Sequence, residues 1–419
     1  MIAVFNLSIV TFLVLLGLSM VSPILPHYAE SFQISYTLVG FVISSFAITR
    51  MLLDMPAGFL SRKYDKKVIM IAGLILIVIS SLLAGNAYSY EVLIIARMIE
   101  GAGSALYVTS ATVFIAQIVD TERRGQLMSM YTGMLLLGTI FGPTFGGIIA
   151  ATYDIRAPFF AYAIVVSFGI PTTLILPKID NSETTTSFET KTSPLRDVWS
   201  ILTYPSFLIA TLATFTLFFL RTGVRSTLVP LFADNNIGLD SGEIGLILTL
   251  AGITTAVTMV PMGGVSDRIG RKIPLIICLL MSAGVTIWIP FSTNMLELSI
   301  CMAVYGLVIG LSGPLAAFVT DVSPEDKIEV SMGLYRMISD IGYIIGPSLL
   351  GYLADISAAN SSGDNISGQI GLLPFVVAST LMIIAGLTLF KAHDPIRNGN
   401  IQASIQEQEN LEPVFQLDD

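Results

Sequence analysis

The sequence predicts an all-α membrane protein, with twelve transmembrane helices arranged as two pseudo-symmetric six-helix bundles. Three observations predict it. Of 419 residues, 53% are hydrophobic and only 12% charged, against about 25% charged in an ordinary soluble domain. Apolar runs long enough to cross a bilayer recur along the chain, and the Lys and Arg residues fall in alternate breaks between them. Two segments of the first half are repeated in the second at nearly one offset.

The runs justify the helices in order. Residues 4–26 have no basic stretch before them and are long enough to span, so they read as a retained helix and not a cleaved signal. The second run, 36–60, carries Arg50 and Asp54 and ends on Arg62, Lys63, Lys66 and Lys67 before the third, 68–86. The fourth, 91–118, holds Arg97 and Glu100; the fifth, 124–151, is rich in glycine; the sixth is 155–177. The break 178–202 has the Ser, Thr and charge content of a flexible linker and divides the chain six plus six. Then come 203–233 with Arg221 and Arg225, 241–265, 273–290, 297–320, 327–354 with Arg336 and Asp340, and 370–391. The loop 355–369 is polar and reads as mobile, and the tail is acidic and reads as disordered. The expected organisation is a first bundle over 1–177, a linker over 178–202, a second bundle over 203–391 and a tail over 392–419. Helices are required because lipid satisfies no backbone group, and a barrel would show alternating segments of about 10 residues instead.

Of the 21 Lys and Arg residues, 15 fall in the even-numbered breaks and the tail, only Arg156 in the odd ones, and five inside runs. That asymmetry places both termini in the cytoplasm. The net charge of −9 gives no basic excess for nucleic acid. Cys278 and Cys301 lie in apolar runs, and His27 and His393 are expected on opposite sides of the membrane, so no metal site or Ser-His-Asp triad is expected. No Gly-x-x-x-x-Gly-Lys-Ser/Thr loop is present to bind ATP.

The repeat pairs Pro56, Gly58, Ser61 and Lys67 with Pro261, Gly263, Ser266 and Lys272. It pairs Gly138, Gly142, Pro143 and Gly147 with Gly342, Gly346, Pro347 and Gly351, and Tyr131 with Tyr335. Asp267-Arg268-Ile-Gly270-Arg271-Lys272 is similar to the cytoplasmic signature of the major facilitator superfamily. Inside it, Leu16-Gly17 through Pro26, Arg97-Met-Ile-Glu100-Gly101-Ala-Gly103, and Gly138 through Gly147 resemble motifs of the twelve-helix drug:proton antiporters. The resemblance covers all but the tail. It implies the major facilitator fold, a proton-linked role for Arg97, and a conformational latch at Gly58, Gly263, Asp267, Arg268, Gly270 and Arg271. The first-half loop departs, with Arg62 and Asp65 where the family usually has Asp and Gly, so the charge relay is implied for Asp267 alone. Glu100 stands where Gln is usual.

The residues support several chemistries by themselves. Gly138, Gly142 and Gly146 share a helix face that another backbone can approach, and Pro143 favours a kink, so this helix at the seam between halves reads either as plain packing or as hinge and seal. Ionisable residues at bilayer depth are costly and mark function. Arg50–Asp54, Arg97–Glu100 and Arg336–Asp340 stand one turn apart, so each can pair on one helix face, as mere neutralisation, or tie helices together, and Glu100, Asp54 and Asp340 are the candidates for proton coupling. Arg221 and Arg225 have no acid within a turn. Arg225 is expected near the outer surface, and the two either snorkel or pair with another helix, or they recognise an anionic group on the substrate. Tyr131 and Tyr335 are candidates for a cavity wall.

The function expected is a secondary transporter exporting small amphipathic or drug-like molecules from the cell membrane. The proton gradient drives it, with no cofactor, and the single chain suffices. The alternatives are a carrier for a specific metabolite, such as a sugar or organic anion, and a non-transporting receptor on the same scaffold.

Overall fold

A computed structural model describes residues 2–118, 124–177, 194–324, 327–360 and 369–392. Among them the secondary structure is helical throughout. Eleven helices are long and apolar enough to cross a membrane, and a twelfth, Leu373–Leu389, is shorter. The membrane-crossing elements are α1 (Ile2–Val21), α2 (Tyr36–Lys63), α3 (Lys66–Gly85), α4 (Tyr90–Ile118), α5 (Arg124–Thr152), α6 (Ala157–Leu174), α7 (Pro205–Ile237), α8 (Ser241–Ile269), α9 (Lys272–Trp288), α10 (Met295–Asp321), α11 (Ile328–Asn360) and α12 (Leu373–Leu389). Large apolar side chains such as Met55, Ile164, Phe168 and Val260 are exposed on the outside of the molecule, which suits lipid and not water.

Proline and small polar residues decide where helices start and break. α1 stops at Val21, five residues short of the predicted run, because Ser22 and Pro23 break it, and a short helix, Leu25–Glu30, follows with Pro26 in its first turn. α10 is interrupted after Gly310 and resumes at Leu315, with Gly313 and Pro314 in the gap. α7 widens into π-helical turns over Leu220–Leu228 and Ala233–Ile237. The Ser226 and Thr227 hydroxyls donate to the carbonyls of Arg221 and Thr222, five residues back, and follow that wider turn. α11 runs on to Asn360, so Asp355 belongs to a helix and not to the mobile loop expected over 355–369. Within the expected linker, Pro194–Ile201 is a helix, while 178–193 and the tail from 393, His393 included, lie outside the described residues.

The helices pack as two groups of six. In the first, α1 lies along α5 and α6, and α4 along α2 and α3; in the second, α7 lies along α11, α8 along α10, and α9 along α12. The groups meet along two antiparallel seams, α2 with α11 and α5 with α8. Equivalent lysines close each bundle. Lys67 Nζ donates to the carbonyls of Leu174 and Leu176 at the end of α6, and Lys272 Nζ to those of Phe390 and Ala392 just beyond α12. Each ammonium thus satisfies carbonyls that a helix C-terminus leaves unpaired.

Candidate functional site: a central cavity between two seams

The glycines fix how closely the seams approach. A methyl group at Gly138 or Gly146 would lie 2.8 or 1.9 Å from the carbonyl oxygen of Phe12 or Met20. α5 lies at a seam as expected, but its Gly138–Gly142–Gly146 stripe packs on α1, inside the first bundle. Gly147 is the seam residue, where a methyl would sit 2.4 Å from the Ser241 carbonyl oxygen. The second bundle repeats the scheme: Gly342 and Gly346 pack on α7, and Gly351 meets the Tyr36 carbonyl oxygen, 2.2 Å from such a methyl. Pro143 and Pro347 present their carbonyls to Gly245 and Gly40 respectively.

Polar contacts close the seams at the end away from the basic loops, here called the far end. Asp355 on α11 accepts from the Tyr36 and Thr37 backbone N–H groups at 2.8 and 2.9 Å and from the Thr37 hydroxyl. A carboxylate of one bundle thus sits at the helix N-terminus of the other. His27 pairs with Asp234, and Asn235 Nδ2 donates to Glu30 Oε2 at 3.1 Å, again across the bundles. The hydrogen bond to Asp234 raises the His27 pKa above its ordinary value, and burial raises that of Glu30. Toward the basic end, a methyl group at Gly133 on α5, Gly263 or Gly264 on α8, or Gly333 on α11 would meet nothing within 4 Å.

The charged couples on α2 and α11 pair across the bundles. Arg50 Nη2 donates to Asp340 Oδ1 at 2.8 Å, and Arg336 Nη2 to Asp54 Oδ2 at 3.2 Å. Of the two arrangements open to these couples, pairing on one helix or tying helices together, they take the second, as two bridges between the bundles. Both helices place the base N-terminal to the acid, the poorer order for an intrahelical pair, and the antiparallel crossing sets each base opposite the other helix's acid. Arg97 and Glu100 do pair on one helix, both buried, with Phe46 under the guanidinium at 4.9 Å. Glu100 Oε1 is buried and has no hydrogen-bond partner among the described residues.

The latch residues are paired inside the second bundle. Arg271 grips both carboxylate oxygens of Asp321 at 2.8 Å and reaches Asp267 at 3.2 Å. Gly270 turns the chain between α8 and α9 at φ +90°, where a side chain is strained. Arg268 follows Asp267 at the end of α8, and Gly58 makes only an ordinary contact with Thr109. In the first bundle Asp65 instead caps α3 by accepting from the Lys67 N–H.

Three adjoining chambers of about 290, 220 and 50 Å³ lie between the bundles. Arg221 and Arg225 line the two larger ones, Arg50 the second, and Arg97 the smallest. Arg225 is therefore deep in the protein, not near the outer surface, and it donates to the Leu248 carbonyl at 3.1 Å. Tyr335, Tyr305 and Phe218 line the largest chamber. Tyr131 does not line these chambers; it is buried in the core with Tyr107 and Phe114. Sequence reasoning missed Asp355 and Asp234, each in a stretch read as loop or helix end. It also missed Tyr343, Thr139 and Ser226, whose composition resembles that of any membrane helix.

Comparison with known proteins agrees with this architecture. The profile described as Major Facilitator Superfamily matches residues 7–234 and again 211–416. Multidrug resistance protein 2 of Bacillus subtilis is 25% identical over 385 residues, covering 90% of this chain and 92% of that protein. Quinolone resistance protein NorA of Staphylococcus aureus is 23% identical over 355 residues, 84% and 90% of the two chains. Among solved structures, a bacterial homologue of the human lysosomal transporter Spinster, in an inward-facing and occupied conformation, superposes with TM-score 0.75 at 15% identity, covering 92% and 95%. The nucleoside transporter NupG superposes with TM-score 0.73 at 14% identity, covering 93% and 99%. The chain belongs to the Major Facilitator Superfamily of transporters.

Proposed function

We propose that this transporter exports small amphipathic, drug-like molecules by proton-coupled antiport, as a monomer in the cell membrane. Both termini lie in the cytoplasm in this reading, and no cofactor is involved. The halves 1–177 and 203–391 rock about the central cavity to alternate its access. The observation that carries the reading is the arrangement around the cavity: seams closed by polar contacts at the far end, and a buried Arg97–Glu100 couple whose arginine lines the smallest chamber. With the basic loops in the cytoplasm, the end closed by these contacts is the outer one. The similarity to multidrug and quinolone resistance proteins supports the substrate class.

Glu100 is the proposed proton carrier, because it is a buried carboxylate held by a single base, Arg97, with the Tyr162 hydroxyl beside it. Asp54 and Asp340 take a second role: their bridges to Arg336 and Arg50 hold the halves together in this state. When the basic end closes, Gly58 and Gly263 approach and Asp267 and Arg268 form the latch across the halves. The test is a flux assay in proteoliposomes with an imposed pH gradient. Glu100→Gln retains substrate binding and loses gradient-driven export. Export by that variant that still follows the gradient removes Glu100 from the mechanism, and wild-type flux indifferent to the gradient removes proton coupling.

A further inference from the structure

We infer that the cavity's cargo carries an acidic group, so that this carrier moves amphipathic organic anions, with a carboxylate, sulfonate or phosphate held by Arg221 and Arg225. The inference rests on the reading of the cavity as the transport site and names its substrate class.

Charge bookkeeping inside the bilayer is the first ground. Away from the helix ends, the spans carry five arginines, at 50, 97, 221, 225 and 336, and three acids, at 54, 100 and 340. Each acid is engaged by an arginine: Asp54 by Arg336, Glu100 by Arg97 and Asp340 by Arg50. Two guanidiniums remain, and both line the same two chambers. Among the described residues neither meets a carboxylate, and Arg225 has only the Leu248 carbonyl. A cationic cargo would find no free acid here and two like charges. Arg221 is exposed and Arg225 more enclosed, and a guanidinium pair facing one cavity binds carboxylate, sulfonate or phosphate strongly and often bidentately.

The backbone that carries them is the second ground. Arg221 and Arg225 belong to the π-helical turns of α7, a rare geometry concentrated at functional sites. Gly223 between them packs against the Gly346 backbone, so the turn is wedged against α11 while the arginines face the cavity. A third ground is Tyr305. It is 1% exposed, lines the chamber, and its hydroxyl has no hydrogen-bond partner among the described residues. A buried hydroxyl without a partner is costly, and an anion beside it supplies the missing acceptor. The walls formed by Leu136, Ile140, Leu217, Phe218, Met259 and Leu315 suit the apolar body of such a molecule.

Three probes sharing one ring system test this: 2-naphthalenesulfonate, 2-naphthalenemethanol and (2-naphthylmethyl)trimethylammonium. Their equilibrium binding is measured on the full chain in phosphatidylcholine nanodiscs. The sulfonate is expected to bind at least about tenfold more tightly than the ammonium. Arg221→Gln and Arg225→Gln should each weaken the sulfonate by about tenfold and leave the neutral alcohol within about twofold, and Arg221→Lys should keep part of the preference. Arg225 also supports α8, so Arg221→Gln carries the test if Arg225→Gln fails to fold. Equal or tighter binding of the ammonium to wild type, or a sulfonate preference that survives Arg221→Gln, overturns the inference. Adding phosphatidylglycerol separates two sources of the same chemistry: competition with the sulfonate assigns the site to an anionic lipid headgroup, no competition to a soluble anion, and both keep the acidic group. Gradient-driven flux of the ammonium probe alone overturns the inference while leaving proton-coupled export intact. Sulfonate flux indifferent to the gradient does the reverse.

Discussion

Asp340 and Arg50 form the most enclosed bridge between the bundles, with side chains 8% and 28% exposed. Removing one partner strands the other charge, a loss of about 3–5 kcal/mol for a buried pair. Asp340→Asn should therefore lower the thermal unfolding temperature of the purified protein, and Arg50→Gln/Asp340→Asn should recover much of the loss. Purely additive losses in that cycle would show that the two side chains do not act on each other. At the far end, His27 gives a pH dependence with a definite sign. Its pKa is raised in the sealed conformation by the hydrogen bond to Asp234, with Glu30 adding to the negative field. The seal is then fully strengthened below the ordinary histidine value of about 6.5 and weakens as pH rises through the raised value. Labelling of Ser22→Cys from the far side should increase over that rise, and His27→Gln should flatten the profile.

The helices show which parts of the architecture were legible in the sequence. Run lengths, basic loops and the repeat predict twelve helices and their order, because lipid exerts a strong and uniform selection on composition. The glycine motifs are equally visible, but their faces are not. Gly146 and Gly147 are neighbours in sequence, yet one packs on α1 and the other on α8. The choice of partners among Arg50, Asp54, Arg336 and Asp340 is likewise a property of how α2 crosses α11, and i,i+4 spacing alone does not decide it. The π turns of α7 and the gap in α10 arise where local hydrogen bonding yields to packing, so no period in the sequence announces them. The two glycines give a test at this scale. Gly146→Ala overpacks one bundle and should cost about 1–3 kcal/mol in stability without altering access to the cavity. Gly351→Ala drives a methyl into the Tyr36 carbonyl at the seam, and should raise far-side labelling of Ser22→Cys. Identical effects of the two on labelling would contradict the assignment of stripe and seam.

As a whole the molecule is two bundles joined at the far end and by the bridges between α2 and α11, and the proposed cycle requires the far end to open. Glu30→Cys with Asn235→Cys places thiols on the two bundles, while the native Cys278 and Cys301 are buried and do not compete for reagent. A short reversible crosslinker should abolish turnover, and reduction should restore it. Undiminished transport in the crosslinked protein would exclude opening at this seam. The crossed pairs of α2 and α11 bear on how fast that opening can be. Separating ion pairs of which one is largely enclosed, Arg50–Asp340, would ordinarily raise a barrier, since its charges would pass through a partnerless state. Here every guanidinium has a second carboxylate one turn away on its own helix: Arg50 has Asp54, and Arg336 has Asp340. As the halves part, each base can hand its grip from the foreign acid to the resident one without crossing an empty interval. The four residues thus work as a relay of partners, and the base-before-acid order that makes the resident pair slightly the weaker keeps the exchange reversible.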